Sequence, residues 1–456
     1  YDGLGRLTSS KDENNNQISY EYDLVGNKVK AIDALNNSVL YFYDKVGNLV
    51  KQTDPKNNSV NYEYDLSGRV AREIDANNNI TNYVYDNLGN LTSISDAKSG
   101  VSSFKYDYLG RIVQETDQIG NAIKYSYDNV GNMVSKTDGN GNITTFTYDV
   151  LNRVKIIDNP GTNDTYYDYD SVGNLVLEKN SNVEVKKEYD ALNRVIKIEN
   201  IVAGTTKVIT YQYDELGNRT KMTDPDNGIT TYAYDDASRL KVVTNPKSDV
   251  INYSYDSAGR ITEKTYSNGT KSTYAYDIAN KLIEIRNLKG TTVISSYSYE
   301  YDQSGNRTKV TRNGNEVSNY TYNNIYELTN TTNSDSSFET FEYDGLGNRT
   351  KLTTNSVVTN YTYNSANQIT SDGTKSYTWD KNGNLSTTNA NNAVTKYTYD
   401  FSDQVTKVEY PDGKNTQYSY YPDGKRLSTT DKNGIVKYFY YDGVNDLIET
   451  NNTGST

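Results

Sequence analysis

The sequence predicts an all-β chain: tandem antiparallel β-hairpins of about 21 residues each, forming a long, curved or spiralling single-layer sheet. Three observations predict it. A Tyr-Asp pair recurs from Tyr1 through Tyr22, Tyr43, Tyr64, Tyr85, Tyr106, Tyr127, Tyr148 and Tyr169, which is eight consecutive spacings of 21 residues. A second aromatic stands two residues before each anchor tyrosine, as at Tyr20, Tyr41, Tyr62, Tyr83, Phe104, Tyr125 and Phe146. Gly or Asn stands four residues after most anchors.

The series continues at Tyr189, Tyr213, Tyr234, Tyr255, Tyr276, Tyr301, Tyr322, Tyr343, Tyr363, Trp379, Tyr399, Tyr420 and Tyr441, giving 22 units. A gap of two places both aromatics of a unit on one face of a strand. Lys187 is the only break in that column. Asp follows the anchor in 19 of 22 units and starts a turn by bonding to the backbone two residues on. The fourth position after the anchor is Gly in 14 units and Asn in five (Asn152, Asn193, Asn280, Asn367, Asn445), residues that tolerate positive φ. The sixth is apolar in 17 units, as at Leu7, Leu49, Val70, Leu91, Ile112, Met133 and Val154, and opens a second β-prone stretch. A second turn begins at Asp12, Asp33, Asp54, Asp75, Asp96, Asp117, Asp138 and Asp224. Pro55 and Pro225 directly follow such an Asp, as the first inner position of a turn favours. The unit is therefore strand, turn, strand, turn, with roughly six residues per strand and four per turn. About 43 such strands are expected, with no compact globular core.

A lone hairpin is marginal in water, whereas stacked hairpins bury aromatic rows against their neighbours. The 46 Tyr among 456 residues then supply the apolar area that aliphatic residues usually provide. This reconciles order with an apolar share of only 34%. The absence of His excludes Ser-His-Asp, Cys-His and HExxH chemistry, and the absence of Cys excludes disulfides and thiolate metal sites. No run approaches the ~18 consecutive apolar residues of a membrane span. A net charge of −12, with its basic residues scattered, argues against a nucleic-acid partner. The chain opens at Tyr1 and reads as an excerpt of a longer protein; its lack of Cys is compatible with an extracellular bacterial setting.

The segments YEYDLVGNKV, YEYDLSGRV, YSYDSAGRIT and YEYDGLGNRT resemble the YD repeat of the RHS family, and the resemblance covers essentially the whole chain. That family includes bacterial wall-associated and polymorphic toxins, the B and C components of insecticidal Tc toxins, and the animal teneurins. The resemblance implies a β-strip coiled into a hollow shell. In the toxins such a shell holds a C-terminal effector, often released by an Asp-dependent self-cleaving core domain. A core segment ending in DPxG is missing here, and the tail NNTGST is expected to fray.

Residues 1–456 are expected to form one repeat array without a domain boundary. Extra residues at IVAGTT (201–206) and NLKGTT (287–292) fit longer hairpin loops. The short unit between Tyr363 and Trp379 implies a tighter turn or a change of curvature. The aromatic rows are read as packing rows in preference to a sugar platform, and Trp379 as a substitute anchor in preference to a ligand-stacking ring. The loop DGNGN at 138–142 has some calcium-loop character but is read as a β-turn. Arg219, Arg307, Arg349 and Arg426 replace the apolar sixth residue; they either line a polar interior or contact a cargo, or mark a shift of strand phase. Nothing singles out one carboxylate pair for glycoside hydrolysis.

The function expected is a non-catalytic shell wall, with no catalytic, metal or cofactor residues. It would enclose a toxin or effector of a secreted or cell-surface bacterial protein. Its partners would be the flanking RHS core and effector domain of the same polypeptide. The alternative is an adhesin-like module that binds cell-surface glycans.

Overall fold

The computed structural model describes residues 1–161, 163–443 and 445–451. Most of the tail NNTGST lies outside them. The described residues form 44 strands and no helix. Thirty-four strands belong to one antiparallel sheet and ten, from Thr362 onward, to a second. Typical strands have five or six residues, as in Leu49–Thr53 and Ser59–Tyr64. The accessible surface is 25580 Å², against roughly 17,000 Å² for a compact protein of this mass. The excess reflects a sheet with little stacked upon it.

One unit illustrates the rest. Strand Ser59–Tyr64 pairs with Val70–Ile74 through Asn61↔Ile74, Tyr62↔Glu73 and Glu63↔Arg72, then Tyr64↔Val70. Ala71 is left over as a β-bulge. The same shift directly precedes Tyr22, Tyr43, Tyr85, Tyr106 and Tyr127. Tyr62 and Tyr64 are half-buried on one face, while Glu63 between them is exposed. On that other face Glu63 meets Arg72 at 3.3 Å, and Glu300 meets Lys309 at 2.8 Å.

On its other side, Ser59–Tyr64 pairs with Leu49–Thr53 only through Thr53↔Ser59, Gln52↔Val60 and Lys51↔Asn61. Leu49 and Val50 thus lie beyond the last rung of that ladder. The Tyr64 hydroxyl fills the gap by donating to the Leu49 carbonyl at 2.8 Å. The same bond runs from Tyr22 to Leu7, Tyr43 to Lys28, Tyr85 to Val70 and Tyr148 to Met133, always 15 residues back. The acceptor is a backbone carbonyl, which is why Lys28 serves as well as Leu49.

Both turns of a unit have one construction. Asp65 Oδ1 accepts the Ser67 and Arg69 backbone N–H groups at 2.8 and 3.0 Å, and Oδ2 accepts Arg69 Nε at 2.7 Å. In the second turn Asp54 Oδ1 accepts from Lys56 and Asn58, and Oδ2 from Asn58 Nδ2. The fourth residue has positive φ, as in Gly68 (78°) and Asn57 (69°). Ser238, Asp403 and even Tyr326 (71°) are held there too. In the last unit Gly443 takes the positive φ, and Asn445 instead begins the final strand, Asn445–Asn451.

The extra residues at 201–206 and 287–292 do not make longer loops. They lengthen strands: Val195–Val202 and Thr205–Tyr213 meet at the two-residue turn Ala203-Gly204, with φ of 49° and 81°. Leu282–Lys289 and Thr292–Tyr301 likewise meet at Gly290-Thr291. Two-residue turns with positive φ, at both residues of Ala203-Gly204 and at Gly290 of Gly290-Thr291, match the twist of paired strands, so extra residues are zipped into the ladder. The short unit makes a tight turn at Asp372–Lys375, where Asp372 accepts from the Thr374 and Lys375 backbone and from the Tyr377 hydroxyl.

The chain divides into two compact units. The first joins Tyr1–Val101 with Ala233–Tyr361. Within it, second-type turns of the early stretch meet first-type turns of the late one: Lys56 Nζ reaches Asp302 and Lys98 Nζ reaches Asp344, each at 2.9 Å and 246 residues apart. Asn280 Nδ2 donates to Asp12 at 3.1 Å in the same way. The second unit joins Ser102–Tyr232 with Thr362–Thr456. There Asn382 Nδ2 donates to Asp138 at 2.8 Å and Asn180 Nδ2 to the Tyr420 carbonyl at 3.0 Å. A Cβ on Gly139 would lie 2.1 Å from the Lys381 carbonyl oxygen, so this contact requires glycine. The second unit also holds two small buried clusters, absent from the sequence expectation. One gathers Val183, Val185, Val202, Tyr421 and Leu427; the other gathers Ile209, Tyr211 and Met222.

Three predictions follow from this bonding. Tyr64→Phe leaves the Leu49 carbonyl without its donor and is expected to cost about 1 kcal/mol, and Tyr64→Ala about 2–4 kcal/mol, in urea denaturation. Gly139→Ala is expected to lower the melting temperature by several degrees, because it forces the 138–142 and 380–384 turns apart; an unchanged value would refute the contact. The third concerns pH. The Asn16 side-chain amide holds the Asp12 carboxyl down at about 2, and Arg69 holds that of Asp65 below the usual range. Stability from such carboxylates is complete above about pH 4 and is lost as pH falls through the lowered values. Burial raises the Tyr64 and Tyr343 phenols, whose contribution is complete below about pH 10 and lost at higher pH. The melting temperature should therefore hold between these limits and fall beyond either one.

Candidate functional site

Where the sixth residue after an anchor is a cation, it packs against the aromatic rings of its own and neighbouring units. Lys28 shows this directly: its Nζ lies 5.7 Å from the Tyr20 ring centroid and 4.8 Å from that of Tyr41. The arginines singled out in the sequence do the same. Arg219 lies over the Tyr211 and Tyr232 rings at 5.4 and 4.7 Å, and Arg349 over Phe341 and Tyr361 at 6.0 and 4.5 Å. Arg307 lies over Tyr299 and Arg426 over Phe439, each at 4.5 Å.

These arginines do not mark a shift of strand phase. Tyr213↔Arg219, Tyr301↔Arg307, Tyr343↔Arg349 and Tyr420↔Arg426 have the register of Tyr64↔Val70. A guanidinium replaces an aliphatic side chain because the ring faces offer a cation–π partner. Arg219 goes further, with Nη1 donating to Asp442 at 2.6 Å and Nη2 to the Tyr232 hydroxyl at 3.2 Å. Tyr211 also donates to Asp442, at 3.1 Å. Burial first, and then the Asp442 charge, push the Tyr211 phenol far up.

A second arginine column was missed. Arg6, Arg69, Arg111, Arg153, Arg194, Arg239 and Arg260 close their own turns through an i,i+4 ion pair with Asp. They also stack on the next anchor, as Arg69 does on Tyr85 at 4.5 Å. Arg69 Nη1 then donates to the Asp86 carbonyl at 3.2 Å. The visible signal was a D-x-x-[GNS]-R spacing, in which Asn often stands for Arg.

Trp379 occupies an anchor position and performs the anchor's bond. Its Nε1 donates to the Ile369 carbonyl at 2.7 Å, as the phenols do elsewhere. The DGNGN loop is a turn of the common kind: Asp138 Oδ1 accepts the Asn142 backbone, and Oδ2 accepts Asn142 Nδ2 as well as Asn382. Among the described residues, no group of three His, Cys, Asp or Glu side chains is placed to hold a metal ion.

The aromatic column breaks at Lys187, in the second unit, and a cavity of about 260 Å³ lies there. Lys187 Nζ donates to Glu178 Oε1 at 2.7 Å, and their side chains are 22% and 9% exposed. Strand pairing sets Glu178 opposite Val185 and Val185 opposite Asn200, so the three stand side by side on neighbouring strands. Val195, Ile198, Tyr421 and Tyr441 complete the walls, with Asp423 and Lys425 among the lining residues. The Tyr421 and Tyr441 rings meet edge to face at 6.0 Å.

Residues 1–184 and 305–450 match the teneurin YD-shell family, and residues 189–229 and 255–292 match the RHS repeat. The chain belongs to the teneurin YD-shell family. No curated protein sequence matches this chain. Among solved structures it is similar to the TcdB2-TccC3-TEV crystal structure, with a TM-score of 0.81 and 16% identity over 97% of the chain. It is likewise similar to the Tc holotoxin pore of Photorhabdus luminescens, with a TM-score of 0.76 and 16% identity over its whole length. The chain spans only 27% and 31% of those chains. At this identity the likeness establishes the fold: an antiparallel hairpin array of the Tc-toxin RHS type.

Proposed function

We propose that this YD shell is a non-catalytic wall, one array of about 22 units, that encloses and carries a toxin or effector domain of the same polypeptide. The protein would be secreted or displayed on a bacterial cell surface, and its partners would be the flanking RHS core and the effector. The observation that carries this reading is the edge-to-edge bonding within each compact unit. Stretches about 240 residues apart are joined turn to turn, at Lys56–Asp302 and Lys98–Asp344 in one unit and at Asp138–Asn382 in the other. A ribbon joined along its edges as well as along its ladder excludes solvent and resists opening, which a container requires. The Asp side chains are consumed in turn bonding, and this supports a role other than catalysis.

The test uses the full-length protein that contains this chain. Limited proteolysis is expected to spare the enclosed domain until the array is melted, and electron microscopy is expected to show a hollow particle. A downstream domain cleaved at the same rate with and without the array would overturn the reading. Lys56→Glu combined with Lys98→Glu should speed that cleavage severalfold, since each change sets like charges together.

A further inference from the structure

We propose that the cavity beside Lys187 binds a neutral, polyhydroxylated ring of monosaccharide size. The cavity exists because the repeat's aromatic is missing: elsewhere a ring fills this place, and Lys187 reaches instead to Glu178. It is held within one compact unit, between residues 178–200 and residues 421–443. About 260 Å³ suits a dozen or so heavy atoms.

The lining chooses the chemistry. Its charges are two Lys and two acids, with Lys187 paired to Glu178 and Lys425 to Asp423, so a charged guest would find no net counter-charge. Asn200 is only 5% exposed and lines the cavity. A buried amide at the cavity wall favours a guest that supplies both an acceptor and a donor. Hydroxyl groups do both, and Lys187 and Glu178 add further donors and acceptors beside it. Beside them, Val195 and Ile198, and the Tyr421 and Tyr441 rings, provide apolar surface for the C–H face of a pyranose.

The experiment is saturation-transfer NMR on the full chain with glucose, galactose, mannose and N-acetylglucosamine, and with glycine betaine as a zwitterionic comparison. At least one sugar is expected to bind with a Kd of about 1 mM or tighter. Lys187→Tyr restores the repeat's ring and should fill the cavity. It is expected to weaken binding at least about tenfold in a chain that still melts cooperatively. Asn200→Ala, read in the same way, should weaken binding without unfolding the chain. Absence of binding by all four sugars, binding of betaine alone, or undiminished sugar binding in Lys187→Tyr would overturn the proposal. None of these results bears on whether the array encloses a cargo.

Discussion

The fold depends on a phenolic hydroxyl reaching a carbonyl that the strand ladder has left behind. Wherever two strands diverge ahead of the first-type turn, their backbone pairing ends early, as after Lys51↔Asn61. The anchor tyrosine bridges the opening at Leu49 and repeats the act along the chain. A phenylalanine would supply the area but not the donor, and a serine the donor but not the reach. Tyrosine does both, which accounts for its abundance in a chain so poor in aliphatic residues.

The bond also fixes what may vary. Its acceptor is backbone, so Leu, Val, Ile, Met and Lys all serve at that place, and Arg307 and Arg426 present their carbonyls to Tyr322 and Tyr441 as readily. The turns behave alike: once the aspartate has gathered its backbone donors, the positive-φ position accepts Gly, Asn, Ser or Asp, and once a tyrosine. Identity of only 16% alongside a TM-score of 0.81 is understandable for a fold specified mainly by main-chain acceptors.

Much of this was legible in the sequence. The period, the aromatic pair on one face and the left-handed turn residue each gave a local pattern that the structure preserves in most units; the aromatic pair breaks at Lys187, and Gly443 replaces Asn445 as the left-handed residue of the last unit. What was illegible required distance or register. The bulge before each anchor leaves no compositional trace. The inserts at 201–206 and 287–292 looked like loops because Gly and Thr suit loops; paired strands longer than the average unit absorb them equally well. The arginines of the GNRT segments seemed out of phase only because a charge was not expected between tyrosine rings. Asn382 against Asp138, or Tyr421 against Val185, joins residues more than two hundred positions apart, and no periodicity announces such neighbours. The cavity was half legible: Lys187 was visible as an exception, but its surroundings were not.

The sideways joints within a unit carry a consequence for heredity. Lys56 finds Asp302, and Lys98 finds Asp344, across the same interval of 246 residues. A duplication or loss of one repeat between those partners would leave every hairpin intact yet slide one edge past the other by 21 positions. Genes for tandem repeats readily gain and lose copies. Here such an event would be harmless to each module and disruptive to the seam, so the number of repeats between the partners is itself under constraint.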